Sequence, residues 1–111
     1  MTRIAMSRPA AALLRALIAR SAVDRNRILL TDVHSTDWRS LTFTGERHQL
    51  WLRVLGPDSP AAVERMCEDL EDSEFSIAGV LVADIAVVGT PRRTADGATE
   101  LLIEALTISD D

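Results

Sequence analysis

Apolar positions recur at two different periods along this chain, and the switches between them mark out its elements. From about residue 8 to 22, Ala10, Leu13, Leu14, Leu17 and Ile18 follow the helical period, with Ser7 placed as an N-cap and Pro9 in the first turn. Arg8, Arg15 and Arg20 fall off that stripe. Ile28 to His34 is rich in branched residues and predicts a strand. From Asp37 to Leu55, DWRSLTFTGERHQLWLRVL, the period is two. A type II′ loop at Gly45-Glu46 would pair Phe43 with His48 and Leu41 with Leu50. Leu41, Phe43, Leu50, Leu52 and Val54 then share a core face. The opposite face, from Trp38 through Trp51 to Arg53, is polar apart from its two tryptophans.

After Gly56-Pro57-Asp58, Ser59-Pro60 reads as a helix start, and Val63, Met66, Cys67 and Leu70 supply its buried stripe. Cys67 is on this reading a small core residue. Ile77 to Val88 predicts a long strand, too apolar on both faces for an edge open to water. A loop over residues 90–98 with an Asp96-Gly97 turn leads to a closing strand, Thr99 to Ser109. Asp110-Asp111 reads as a mobile tail. The predicted order is helix, three strands, helix, two strands. This is an α+β fold: one domain, residues 1–111, whose antiparallel sheet carries its helices on one side.

Charge sharpens the picture. The net charge is -5. Residues 1–55 hold nine arginines against Asp24, Asp32, Asp37 and Glu46, a net of +5, whereas residues 56–111 hold three arginines against thirteen acids, a net of -10. Every basic residue is arginine, which suits bidentate ion pairs and equally reflects base composition. Glu64, Glu68, Asp69, Glu71, Asp72 and Glu74 crowd the second helix and its exit. Carboxylates near a helix C-terminus oppose its dipole, so they form either a plainly solvated face or one kept negative for a partner or passage. A lone cysteine forbids an internal disulfide and suggests a cytoplasmic setting. Arg15 and Arg20 interrupt the only stretch resembling a signal peptide, and the longest apolar run is cut by Asp84, short of the roughly 20 residues that cross a bilayer. The expectation is a soluble protein without a membrane partner.

Three kinds of function compete. Asp32, His34, Asp37 and His48 are the only group resembling metal ligands, but without a recognised spacing, and His48 on a core face reads as a satisfied structural residue. No nucleophile elbow, phosphate loop or dinucleotide glycine pattern is present, so no catalytic residue and no cofactor is expected. Trp38, Arg39, Trp51 and Arg53 would suit a nucleic-acid binding module, against the overall acidity. Large aromatics beside arginines also suit a protein interface, and halves of opposite charge favour head-to-tail contacts that close into rings.

The ordered set of motifs carries a resemblance. The first helix and strand, Asp37-Trp38, Gly45-Glu46-Arg47-His48, the LWLRV strand, the Pro/Ala-led helix, the Gly79 strand, Asp96-Gly97 with Thr99, and EALTIS together resemble the tail-completion or tail-terminator proteins of tailed phages and gene transfer agents. The resemblance spans roughly Ile28 to Thr107. It implies a structural virion protein, not an enzyme: a homo-oligomeric ring, commonly of six subunits, that stops a tail tube at its head-proximal end. Its partners would be the major tail tube protein and a head-completion protein, with DNA passing through without specific binding. On that reading Trp38, Trp51, Arg53, Arg92 and Arg93 are interface residues, the last two on a mobile loop. Glu64, Glu68, Asp69, Glu71 and Asp72 would face an acidic lumen.

Overall fold

In the computed structural model, which describes residues 5–109, the first helix, α1, runs over Arg8–Ser21. The Ser7 side chain caps it, accepting from the Ala10 N–H at 3.2 Å, and Leu13 and Leu17 are wholly buried on its apolar stripe. β1 (Ile28–Arg39) and β2 (Thr44–Val54) form a long hairpin. α2 (Ser59–Cys67) and a 3-10 turn (Leu70–Asp72) follow, then a second hairpin of β3 (Val80–Arg93) and β4 (Thr99–Ser109). The four strands are antiparallel in the order β1-β2-β4-β3, and the helices pack on one face of the sheet. Leu13, Leu17, Leu50, Leu52, Val54, Met66, Ile103 and Ala105 meet there in one core. Asp110 and Asp111, expected as a tail, lie outside the described residues.

Two predicted strands are one. The residues expected to divide at Ser35–Thr36 form a continuous β1, so the sheet has four strands and not five. The hairpin turns at Ser40–Phe43, where the Ser40 N–H donates to the Phe43 carbonyl (2.9 Å) and the Ser40 Oγ accepts from the Phe43 N–H (2.9 Å). A short serine side chain thus closes a turn that holds no glycine or proline. The register becomes Arg39 opposite Thr44 and Val33 opposite Leu50, with a bulge at Thr31. Leu41 and Phe43 are therefore not core: they are 107% and 53% exposed at the hairpin tip. Ile28, Leu30 and Val33 take their place against the core.

Gly45 is not a turn residue either. It lies within β2, between Trp38 of β1 and Ile108 of β4. A Cβ there would meet the Thr107 carbonyl oxygen at 2.0 Å. Glycine is required by the closeness of β4 rather than by chain reversal.

β3 differs from expectation as well. It starts at Val80, after a Gly79 turn with φ 75°, and continues through Arg93, so Arg92 and Arg93 belong to a strand and not to a loop. It is also an edge strand. Its inner residues Val82, Ile85 and Val87 pack on the core, whereas Leu81 and Val88 point outward, 60% and 42% exposed. The predicted Asp96-Gly97 turn is present: the Thr94 N–H donates to the Ala98 carbonyl at 2.8 Å, with Gly97 at φ 86°.

Arginines tie the connections to the framework. Arg20, at the end of α1, donates to the Met66 carbonyl (2.8 Å), the Glu68 carbonyl and the Ser73 Oγ (3.0 Å). Arg65 returns a bond from α2 to the Ser21 carbonyl at 2.9 Å. Arg27 donates to the Leu55 carbonyl (2.7 Å) and to Asp58, filling the space a Cβ on Gly56 would need. The forked guanidinium is what lets a single side chain hold two or three acceptors at once.

Gly45→Ala is expected to force β2 and β4 apart and to cost about 2 kcal/mol or more, read as a lower urea midpoint. A variant as stable as the parent would refute this account of the glycine.

Candidate interaction surface

Among the described residues no other element covers the sheet face turned away from the helices. Cross-strand register places its side chains in rows: Leu29, Arg53, Glu100 and Arg92 at one end, then Asp32, Trp51, Leu102 and Val88, then His34, Gln49, Glu104 and Ala86. Beyond them lie Arg47 with Leu106, and Trp38 with Ile108 and Leu81.

Trp51 is half-buried in the middle of this face. The His34 ring meets its indole edge-on at 5.2 Å between centroids. Arg53 donates to Glu100 (3.2 Å) and Asp96, and Arg92 also donates to Glu100. The Arg92 hydrogen bond, with help from Arg53, holds the Glu100 carboxyl below its ordinary range, and the Thr94 hydroxyl does the same for Asp96. Exposed ion pairs add little stability. What they do here is fix Arg53 beside Trp51 at the rim of an apolar strip.

The expected interface residues are therefore only partly brought together. Trp51, Arg53 and Arg92 share one end of the open face. Arg93 points to the other side of the sheet and donates to the Pro57 carbonyl at 3.2 Å, bracing the entry to α2. Trp38 stands opposite Gly45, six residues along β2 from Trp51 and so about 20 Å away. Trp38 and Arg39 consequently form no continuous surface with Trp51 and Arg53, and Arg53 is already engaged by carboxylates. This geometry does not build the stacking and phosphate surface that a nucleic-acid reading needs.

The metal constellation is divided by the sheet. Asp32 and His34 pair at 3.4 Å on the open face, both side chains 60% exposed. His48 is on the opposite face, 1% exposed, with Nδ1 hydrogen-bonded to Ser35 Oγ (2.7 Å) and Nε2 to Thr107 Oγ1 (2.8 Å). Asp37 lies across from Glu46, away from both. Among the described residues no group of three or more His, Cys, Asp and Glu is placed to hold a metal ion. Cys67 is half-buried, and burial raises its thiol pKa, as expected of a packing residue.

Two further features were not anticipated. The hairpin tip presents Leu41 and Phe43 to solvent. At the same end of the molecule a groove of about 940 Å³ opens between the start of α1, the strand ends flanking the first hairpin turn and the start of β3, lined by Arg8, Arg15, Trp38 and Arg39 along with Asp37 and Glu46. In the sequence, Arg8 and Arg15 stood out only as positions off the apolar stripe. The acids Glu64, Glu68, Asp69, Glu71 and Asp72 are all exposed and make no ion pair among the described residues. The chain matches no known family profile and no curated protein. No helix among the described residues is long and apolar enough to cross a membrane.

Burial pushes the His48 imidazole below its ordinary value of 6.5, with Glu46 pulling weakly the other way. The native site therefore refuses a proton that the unfolded chain accepts. Its contribution is complete above about pH 6.5 and is lost as pH falls through the lowered native value. Urea midpoints at about pH 7.5 and about pH 5.5 should show this decline, and His48→Gln should flatten it. An equal slope in parent and variant would contradict the assignment.

Proposed function

We propose that this protein is a structural subunit of a phage-like tail: a ring that closes the head-proximal end of the tail tube and meets the head connector. The observation that carries the reading is the amount of large apolar surface the folded chain leaves uncovered. Leu29, Leu81 and Val88 lie on the open sheet face and Leu41 and Phe43 at the hairpin tip, all at least 42% exposed. Half-buried Trp51, Leu102, Leu106 and Ile108 extend the open-face set. A small monomer gains nothing from such a surface, whereas an assembly subunit buries it.

The motif order from Ile28 to Thr107 supports the tail-terminator reading in particular. Within that order, Gly45 and His48 have physical roles in the sheet: a close approach to β4 and a buried hydrogen-bonded triplet with Ser35 and Thr107. Both make the hairpin a stiff platform. In this reading the open face and the hairpin tip meet neighbouring virion proteins. The absence of a catalytic site is part of the proposal.

Light scattering of the purified protein, alone and with tail tubes, should find a closed oligomer or a discrete cap on tube ends. A monomer at every concentration and in the presence of tubes would refute the reading. Trp51→Ala is expected to weaken association by about 2 kcal/mol, roughly thirtyfold, while leaving the fold intact because Trp51 lies off the core.

A further inference from the structure

Among the described residues six arginines are committed within the chain: Arg20, Arg27, Arg53, Arg65, Arg92 and Arg93 each donate to a backbone carbonyl or a carboxylate. Arg8, Arg15, Arg25, Arg39 and Arg47 make no ion pair or side-chain hydrogen bond among the described residues, and three of these five, Arg8, Arg15 and Arg39, line the groove. Three unpaired guanidinium groups in one concavity are a ready receiver for carboxylates. Asp37 and Glu46 line it as well, leaving one net positive charge, so directed arginine–carboxylate contacts would hold an occupant there more than the bulk field.

The opposite set lies elsewhere on the surface. Glu68, Asp69, Glu71, Asp72 and Glu74 follow α2, and none forms an ion pair among the described residues. Arg20 anchors this segment through the Glu68 carbonyl and Ser73 Oγ, using backbone and hydroxyl acceptors and leaving every carboxylate outward. Arg20 is twelve residues beyond Arg8 on α1, or about 18 Å along the helix. The acidic segment is thus a fixed feature held at the far end of α1, and in a single chain it does not pair with the groove.

We infer that the groove between α1 and the strand ends beside the first hairpin turn receives the acidic Glu68–Glu74 segment of a second copy of this chain. The inference rests on the ring proposed above and supplies its joint. Two different patches meet, so the contact is heterologous and each copy offers one groove and one acidic segment. It moves these carboxylates from the lining of a channel to the seam between subunits. The arginines take carboxylate oxygens in forked pairs.

The test uses two charge-reversal variants of the full chain, Arg15→Glu/Arg39→Glu and Glu71→Arg/Asp72→Arg. All four side chains are exposed and without an internal ion pair, so both variants should keep the parent's circular dichroism. Each alone should assemble at least about tenfold less tightly than the parent, since like charges would face each other across the joint. Mixed one to one they should regain assembly, because a Glu-bearing groove then meets an Arg-bearing segment and the reverse. If either variant alone assembles like the parent, or if the mixture stays dissociated, this joint is wrong and the ring proposal survives. If the parent assembles neither alone nor on tail tubes, both fall.

Discussion

Two helices on one face of a four-stranded sheet is the constraint from which the rest of this structure follows. A sheet needs one covered face to be stable, and α1 and α2 cover one. The other is left with Trp51, Leu102, Val88 and Leu29 in view, and β3 is left as an edge with apolar side chains turned out. An edge strand of this kind is a liability in a free monomer. Here the same strand places Arg92 next to Glu100 and Arg53, which puts charge at the rim of the apolar strip.

Polar groups inside the fold are used to position elements. Ser59 at the start of α2 donates to the Gly97 carbonyl (2.9 Å) and shares a hydrogen bond with Thr99 Oγ1 (2.8 Å), fastening the helix to the second hairpin. His48 joins Ser35 and Thr107 across three strands, and no buried side-chain polar atom among the described residues lacks a partner. A satisfied network of this sort specifies register, because a one-residue slip would orphan all its members. It also explains why His48 is unavailable as a ligand: both ring nitrogens are already occupied, on the side of the sheet away from Asp32 and His34.

The arginines divide along the same line between framework and surface. Those at the ends of elements grip carbonyl oxygens, where a lysine's point charge would hold fewer acceptors. Arg8 and Arg15 on the exposed side of α1 and Arg39 beside the first hairpin turn are spared that work and converge on the groove. Segregated charge, visible in the sequence as halves of opposite sign, becomes in the fold a basic concavity and a separately anchored acidic segment.

What the sequence by itself determined was the local content: both helices with their starts at Ser7 and Ser59, the α+β class, the Asp96-Gly97 turn, and the inward placement of His48, Leu50, Leu52 and Val54. These depend on neighbours within a turn or on a period of two, which a chain carries in its own order. The tertiary structure decided the position of the first hairpin turn, because Leu41 and Phe43 alternate like core residues and only pairing with β4 distinguishes Gly45 as a point of close approach. It also decided which strand became an edge, the separation of Trp38 from Trp51, and the division of the histidines between faces. Each of those rests on contacts between residues distant in the chain, whose register no local pattern encodes.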